Sequence, residues 1–369
     1  MTSYVPNLRF PEFQGEWEKK SLGEIGDSFI GLTYKPTDVV SEGGLIVFRS
    51  SNIQNGCMDY KDIVRVNKNV KEKLITKKDD LLVCARNGSA RLIGKNAILH
   101  EADANQTFGA FMMVFRSDKN HFVHQLLNTR RYSSQVSENL GARINQITSS
   151  DLSSFEFFFP TENSEMNKIA ALLDLLDERI VTQNKIIDKL KSLIKGISKQ
   201  LLMNNQNWRT VRIGELLRIG NGKDYKHLGI GKIPVYGTGG QMLLVNDYLY
   251  DGESVCIGRK GTIDTPMFLN GKFWTVDTLF YTYDFKDVLP KFCYYLFLQI
   301  NWKLYNEGTG VPSLSKSTIE NIKVKIPSIE QQHNICSVLD CYEHKTKSEE
   351  QILELYLSEK QYLLRQMFI

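Results

Sequence analysis

An internal repeat is the strongest constraint on how this 369-residue chain can fold. The segment WEKKSLGEI at 17–25 matches WRTVRIGEL at 208–216 without a gap. The segment VCARNGS at 83–89 resembles VCIGRKGT at 255–262, with one extra residue in the second copy. Repetition at matched positions predicts two copies of one structural unit within the chain.

Two further blocks extend the repeat. Residues 141–160 align at a constant offset with 308–327, and both copies pass from a polar, glycine-containing loop through a short helix start into an alternating strand that ends in proline. The last block keeps a single offset and pairs 168–174 with 334–340 and 196–202 with 362–368. Four blocks in the same order make coincidence a poor explanation.

Each copy combines two kinds of sequence. Its first part spreads glycines and aromatic residues through short alternating segments, a pattern typical of compact α+β domains. Its second part has almost no glycine or proline, and apolar residues recur every three or four positions, as in a long amphipathic helix. We therefore predict homologous α+β domains over 1–160 and 205–327, and spacer helices over 161–204 and 328–369.

The two predicted helices are similar in length and should pair with each other. A helix of about 40 residues is roughly 60 Å long, and a narrow apolar seam on it requires a partner. We expect an antiparallel coiled coil, with the two α+β domains at opposite ends and a pseudo-twofold relation between the halves. The expected seam of the first helix is Ile169, Leu172, Leu176, Ile180, Gln183, Ile187, Leu190, Ile194, Ile197 and Leu201. That of the second is Ile335, Val338, Tyr342, Lys345, Glu349, Ile352 and Tyr356, with Leu363 and Leu364 beyond.

The polar members of this seam, Gln183, Lys345 and Glu349, are expected to fix the helix register or to contact another protein.

Composition narrows the class of protein. Hydrophobic residues make up 42% of the chain and charged residues 24%, as in ordinary globular proteins, so the chain should fold. The net charge is only +4, so contact with a polyanion would depend on local basic patches. Residues 1–13 lack the apolar core of a signal peptide, and no run approaches the roughly 18 apolar residues of a membrane span. We expect a cytoplasmic protein with no membrane partner.

No catalytic or cofactor motif is evident in the sequence. The Gly-Lys pairs at 94–95 and 231–232 lack both the first glycine and the final Ser or Thr of a nucleotide-binding loop. His121 and His124 have a spacing that could hold a metal on a helix, but no Cys or Glu follows at ligand spacing, so a surface or core role is favoured. We expect neither enzyme activity nor a metal or cofactor in this chain.

Several motifs resemble the specificity subunits (S, HsdS) of type I restriction-modification systems, over nearly the whole chain. They are LRFPEF at 8–13 with Trp17, RSSNIQNG at 49–56, IPVYGTGG at 233–240, IEQQHNI at 329–335 and LRQMF at 364–368. The first helix departs from the pattern, because Glu165 and Met166 stand where the family prefers Gln-Gln.

The resemblance implies that each α+β domain is a target-recognition domain that reads one half of a split, asymmetric site in double-stranded DNA. It also implies that the helices space these domains and dock two methyltransferase (M) subunits, which methylate adenine with S-adenosylmethionine. Restriction/translocase (R) subunits can join this complex. The chain itself would be its non-catalytic DNA-binding subunit. A stiff spacer suits this role, because a shift of a few base pairs rotates one domain away from its groove.

Candidate DNA contacts lie on the repeated loops, where cationic side chains suit phosphates and forked polar side chains suit base edges. In the first domain they are Lys35, Arg49, Asn52, Arg86, Asn87, Arg143, Asn145 and Gln146. In the second domain they are Lys223, Tyr225, Lys226, Tyr236, Thr238, Gln241, Arg259, Lys260, Ser313 and Lys316. Each of them could instead be an ordinary solvated loop residue. Nearby glycines are expected to serve turns that need positive φ: Gly88, Gly237, Gly239, Gly240 and Gly261.

Two other functions compete with this interpretation. A stand-alone or orphan DNA-binding protein would find its site without a methyltransferase, whereas a docking scaffold should be poorly soluble until that partner is co-expressed. A self-contained nuclease would cleave DNA as the purified chain in a metal-dependent reaction.

Overall fold

The protein is described here by a computed structural model covering residues 4–140, 145–203 and 207–369. It divides into two compact units. The first unit comprises the chain up to Gln183 together with Ile352–Ile369, and the second comprises Asn184–Gln351. Each unit therefore contains one α+β domain and segments of both long helices.

The first unit contains two four-stranded sheets and two strand pairs. Its strands are β1 (Glu18–Ser21), β2 (Asp27–Ile30), β3 (Val39–Val40), β4 (Leu45–Phe48), β5 (Ile53–Gln54), β6 (Cys57–Met58), β7 (Val64–Val66), β8 (Leu81–Cys84), β9 (Asn96–Ile98), β10 (Thr107–Phe108), β11 (Met112–Arg116) and β12 (Glu156–Phe159). Its helices are α1 (Leu22–Ile25), α2 (Asn120–Leu126), α3 (Arg130–Leu140), α4 (Ser149–Ser154) and the start of α5 (Asn163–Met203). The sheets run β2-β11-β8-β9 and β10-β4-β7-β3, and β1 pairs with β12.

The second unit has a corresponding set of strands and helices. Its strands are β13 (Arg209–Arg212), β14 (Arg218–Asn221), β15 (Ile230–Gly237), β16 (Gly240–Val245), β17 (Tyr250–Asp251), β18 (Ser254–Gly258), β19 (Met267–Leu269), β20 (Lys272–Thr275), β21 (Leu279–Tyr283) and β22 (Lys323–Ile326). Its helices are α6 (Ile213–Leu216), α7 (Pro290–Phe297), α8 (Lys316–Asn321), the part of α5 from Asn184 onward, and most of α9 (Ile329–Gln366). The sheets run β14-β21-β18-β19 and β16-β15-β20-β17, and β13 pairs with β22.

Strand register shows that the two domains are homologous, as the repeat predicted. In the first domain Glu18 pairs with Phe159, and in the second Arg209 pairs with Ile326, which are equivalent positions of the repeat. One sheet of each domain contains a parallel pair, β4 with β10 and β15 with β20. The remaining strand pairs are antiparallel, which gives each domain its α+β character.

A tryptophan that opens each repeat helps to form the core of its domain. Trp17 is 2% exposed and packs edge-on against Phe122 and Phe368, with ring centroids 6.1 and 6.3 Å away. Trp208 lies 6.2 Å from Phe292 in the same manner. The long helices add Ile169, Leu173 and Leu364 to the first core and Leu202, Ile335 and Leu339 to the second. Each core therefore includes side chains from both helices. Full burial of one such side chain contributes roughly 1.5–3 kcal/mol to the stability of the folded state.

The long helices run antiparallel within each unit, as predicted. In the first unit Lys360 of α9 contacts Asp177 of α5 at 2.5 Å. In the second unit Lys191 of α5 contacts Glu350 of α9 at 2.7 Å. The observed helices, Asn163–Met203 and Ile329–Gln366, fall inside the ranges predicted for the spacers. The domain boundaries drawn from the sequence stay a prediction.

The buried seam of the helices lies one position away from the predicted seam at several points. In α5, Leu173 is fully buried and Leu172 is 37% exposed. In α9, Thr346 is buried, whereas the Lys345 side chain is 62% exposed and pairs with Glu349 on the same helix. Assigning Leu172 and Lys345 to the seam was therefore wrong. The alternating three- and four-residue spacing of a coiled coil passes through their neighbours instead.

Candidate nucleic-acid interface

In the first domain, the structure brings four of the candidate residues together. Arg86 and Gln146 form an isolated antiparallel β-bridge beyond the end of β8. The side-chain amide of Asn87 donates to the Ser50 hydroxyl at 2.9 Å. The side-chain amide of Asn145 donates at 3.1 Å to the backbone carbonyl of Gly88. We call Arg86, Asn87, Asn145 and Gln146 the first edge cluster.

The Arg86 guanidinium is the free cation of this cluster. Its central carbon lies 5.2 Å from the centroid of the Phe111 ring, and no carboxylate of the described residues pairs with it. The backbone is held as well, because the amides of Ala85 and Arg86 both donate to the Phe111 carbonyl, at 2.9 and 3.0 Å. A stacked and oriented guanidinium suits forked contacts with phosphate or guanine.

Arg49 and Asn52 are used within the protein itself. Asn52 is fully buried, and its amide donates to the carbonyls of Asp59 and Asp62 at 2.9 and 3.0 Å. Its side-chain oxygen accepts from the Arg49 amide at 2.9 Å. Arg49 forms an ion pair with Asp62 at 2.7 Å. Asn52 therefore holds the 49–62 loop together and is not presented to solvent.

A matching arrangement occurs in the second domain. Lys260 and Ser313 form the corresponding β-bridge, and the amides of Arg259 and Lys260 donate to the Thr278 carbonyl at 2.8 and 3.3 Å. The Thr238 hydroxyl adjoins this loop, 3.8 Å from where a β-carbon on Gly261 would stand. We call Thr238, Arg259, Lys260 and Ser313 the second edge cluster. Neither cation has an acidic partner within the described ranges.

Strand register corrects one pairing of the sequence repeat. Cys84 lies opposite Met112 in the first domain, and Gly258 lies opposite Leu279 in the second. Counting from these positions, Arg86 corresponds to Lys260 and Val83 to Ile257, whereas the sequence repeat had aligned Val83 with Val255. The shared Val-Cys dipeptide misled that alignment, because strand register depends on partners far along the chain.

A second pair of cations occupies equivalent positions in the two domains. The Leu32 amide donates to the Phe108 carbonyl at 2.7 Å, and the Lys223 amide donates to the Thr275 carbonyl at 2.8 Å. Three residues further on, Lys35 and Lys226 are both exposed. Each has the exposure that a phosphate contact needs, and the charge of Lys35 also acts on the Asp38 carboxylate, whose pKa it helps to lower.

The remaining candidates of the second domain lie around its parallel strand pair. Tyr225 packs on the apolar cluster that contains Trp274, and Tyr236 is half-buried at the end of β15. Gln241 lies opposite Tyr236 across the β15–β16 hairpin and is exposed. Lys316 is the first residue of α8 and is half-buried. In the first domain, Arg143 lies outside the described residues.

Two of the five predicted turn glycines have positive φ. Gly240 has φ 106° and Gly261 has φ 90°, a region that favours glycine. For Gly88, Gly237 and Gly239 the prediction of positive φ was wrong. A β-carbon at Gly237 would lie 2.9 Å from the Met242 sulfur, which ends a flexible, exposed side chain that can move aside.

The histidine pair connects the first domain to α5. His121 Nδ1 lies 2.5 Å from an Asp174 carboxylate oxygen, a hydrogen bond that raises the pKa of His121. His124 is buried, and its Nδ1 donates to the Asn96 side-chain oxygen at 2.8 Å. Burial lowers the pKa of His124 to about 4. Among described residues no group of three or more His, Cys, Asp or Glu is arranged to hold a metal.

Sequence reasoning missed one exposed aromatic residue at the first edge cluster. Phe111 is 58% exposed, although it sits between the apolar strands β10 and β11. Its position in a run of apolar residues favoured burial, so only the turn geometry reveals its exposure.

The helices of the described ranges include none long and apolar enough to cross a membrane.

Comparison with known proteins gives a consistent result. The family model for the type I restriction modification DNA specificity domain matches residues 14–192 and 205–355. The EcoKI specificity subunit of Escherichia coli K12 is 28% identical over 194 residues, which cover 50% of this chain and 41% of that protein. The StySPI specificity subunit of Salmonella potsdam is 26% identical over 196 residues, which cover 50% and 42%. These matches span less than half the length of either relative.

Solved structures show the same fold. The S subunit of a type I restriction-modification system from M. genitalium aligns over 99% of both chains, with a TM-score of 0.67 and 17% identity. A chain from a structural study of complex assembly and conformational transition in the type I R-M system aligns over 94% of this chain and 96% of that one. Its TM-score is 0.54 at 14% identity.

Proposed function

Because the chain belongs to the family of type I restriction modification DNA specificity domains, we propose that it is the DNA-reading subunit of a type I restriction-modification complex. Each domain reads one half of a split, asymmetric site in double-stranded DNA. The duplicated edge cluster carries this proposal, since a β-bridge presents Arg86 in one domain and Lys260 in the other. The chain supplies recognition, and its partners supply catalysis.

The clusters have the chemistry that groove reading requires. Free cations bind phosphates and guanine edges, and the neighbouring amides and hydroxyls bind other base edges. The net charge of +4 is small, so local basic groups must provide the attraction to DNA. Different side chains on the same framework favour two different half-sites, which makes the whole site asymmetric.

The long helices suit a second task, the docking of two methyltransferase subunits. Exposed leucines support it, because Leu175 is 52%, Leu193 is 45% and Leu355 is 68% exposed. A partner that covers them would gain free energy by burying apolar surface. We expect each methyltransferase to hold S-adenosylmethionine and to methylate an adenine of one half-site. Restriction/translocase subunits would join the same complex, which acts on DNA in the cytoplasm.

Genome-wide mapping of methylated adenines tests the proposal. The chain is co-expressed with its cognate methyltransferase in a host that has no adenine methylation of its own. A split motif with a fixed gap is the expected result. An unmodified genome, combined with tight binding of the lone chain to one site, would favour the orphan DNA-binding protein.

Single substitutions in the two clusters should act on different halves of that motif. Arg86→Ala is expected to relax one half and Lys260→Ala the other, each costing about 1–3 kcal/mol of discrimination. Methylation mapping of each variant measures the effect, and Lys325→Ala, on an exposed position of β22, is the control. Equal loss at both halves would contradict independent reading.

A further inference from the structure

The first domain exposes one large aromatic ring beside its edge cluster. Phe111 is 58% exposed, whereas Phe108 and Met112 on either side of it are fully buried. The ring stands in the turn between β10 and β11, which is closed by the Met112 amide donating to the Gly109 carbonyl at 2.8 Å. The turn therefore directs Phe111 outward while the adjoining strands stay in the core.

The ring is held in place before any ligand arrives. The Phe111 carbonyl accepts hydrogen bonds from two consecutive amides, those of Ala85 and Arg86. The Arg86 guanidinium lies over the ring, 5.2 Å from its centroid. Rigid presentation of an apolar group lowers the entropy lost on binding.

The surroundings of the ring indicate what would cover it. Arg86 has no acidic partner in the described part of the chain, and Asn145 and Gln146 lie across the β-bridge from it. A ligand that covers Phe111 should therefore offer negative charge to Arg86, hydrogen-bond donors and acceptors to the amides, and an apolar group to the ring. Duplex DNA meets all three conditions in its major groove, where the thymine 5-methyl group is the apolar feature.

We propose that the Phe111 ring packs against a thymine methyl group in the half-site read by the first domain. This inference rests on the proposed function and adds a specificity-determining residue to it. Arg86 and Phe111 then act together, the guanidinium on a phosphate or guanine and the ring on the adjacent thymine.

The second domain supplies an internal control. Thr278 occupies the equivalent place, because its carbonyl accepts from the amides of Arg259 and Lys260 in the same way. Thr278 has no ring, so the second half-site should lack this contact. Val39 provides another control, since it is exposed on β3 at the far edge of the β10-β4-β7-β3 sheet.

The experiment combines protein variants with modified DNA. The full chain in complex with its methyltransferase binds the mapped site, in which each thymine is replaced singly by deoxyuridine. When one particular thymine of the first half-site is replaced, the wild-type complex should bind about fourfold more weakly, the loss expected for one methyl-sized apolar group that is no longer buried. Phe111→Ala should bind the intact site about tenfold more weakly and be indifferent to that replacement, whereas Val39→Ala and Thr278→Ala should respond like wild type.

The outcomes separate this inference from the proposed function. Phe111→Leu should restore most of the affinity and part of the response to the methyl group, because an apolar side chain remains. Two results would overturn the methyl contact alone: a Phe111→Ala complex that binds the intact site as tightly as wild type, or one that still loses affinity when the thymine is replaced by deoxyuridine. Absence of any sequence-specific complex with wild type would overturn the proposed function and this inference with it.

Discussion

In the first domain, α2 docks on α5 through two acidic residues of the long helix. The Gln125 amide donates to Asp174 at 2.9 Å and to Asp177 at 3.0 Å. His121 adds a second contact to Asp174. The docking face of the first domain therefore consists of a neutral amide and an imidazole.

The second domain docks at the matching place with different chemistry. Lys291 of α7 contacts Glu343 and Asp340 of α9 at 2.8 and 3.5 Å. The Tyr295 hydroxyl donates to Asp340 at 2.6 Å. The acidic positions of the long helix are retained between the repeats, while their partners on the domain differ. The shared fold therefore determines where each domain contacts the long helix, whereas the side chains that make the contact differ between the domains.

The repeats also differ at the start of the long helices. Glu165 is 1% exposed and accepts two hydrogen bonds from Arg9, at 2.7 and 2.8 Å, and one from Trp17 at 3.3 Å. Its equivalent in α9, Gln331, is exposed. Glu165, which breaks the family's Gln-Gln pattern, therefore anchors the N-terminal segment.

Glu165→Ala should destabilise the first unit by about 3 kcal/mol, because it leaves the Arg9 charge without its buried partner. Faster amide hydrogen exchange in β1 and β12 would show the loss. Gln331→Ala is the matched control and should leave exchange in β13 and β22 unchanged. A similar effect of both substitutions would refute the asymmetry.

Tyr295→Phe should have an intermediate effect. It removes the hydroxyl that donates to Asp340, and a hydrogen bond to a charged group contributes about 1.5 kcal/mol. The free energy of unfolding, measured by urea titration, should fall by that amount. Tyr294→Phe is the control, because the Tyr294 hydroxyl makes no hydrogen bond to a described residue. Equal loss in the two variants would mean that packing, and not the Asp340 contact, accounts for the effect.

The smallest expected effect is a pH dependence confined to the first unit. The hydrogen bond to Asp174 raises the pKa of His121 above 6.5, and Asp79, 3.4 Å from its other nitrogen, acts in the same direction. The stability that His121 contributes is therefore full below pH 6.5 and is lost as pH rises through the folded-state pKa.

His124 has the opposite dependence. Burial and the Lys360 charge lower its pKa to about 4, against the attraction of Asp177 and Asp174. Its contribution is full above pH 6.5 and is lost as pH falls towards 4. Together the two histidines should give the first unit a maximum of stability near pH 6.5.

Replacing His121 with lysine, the residue type that Lys291 supplies at the matching place in the second domain, tests this difference. His121→Lys should abolish the loss of α2 protection above pH 6.5, since the lysine stays charged beside Asp174. Hydrogen exchange of α2 across pH 5 to 9 measures it, with α7 as the internal reference. An alkaline loss of protection that persists in the lysine variant would exclude His121 as its source.

The candidate site could be predicted only in part. The loops that hold Arg86, Lys35, Lys226 and Lys260 were identified from the repeat, and within the described ranges Arg86, Lys226 and Lys260 have no acidic partner. Asn52 looked equally suitable in sequence but is fully buried. An asparagine that binds bases and one that binds backbone carbonyls have the same side chain, so only its neighbours distinguish them.

Sequence by itself determined the two homologous α+β domains and the long helices, because repeats and apolar periodicity are local properties that need no knowledge of distant partners. Tertiary structure decided the rest. It matched Arg86 to Lys260, moved the seam from Lys345 to Thr346, buried Asn52 and exposed Phe111. Each of these depends on which distant strand or helix lies alongside, and a shift of one residue in that pairing turns a side chain from core to solvent.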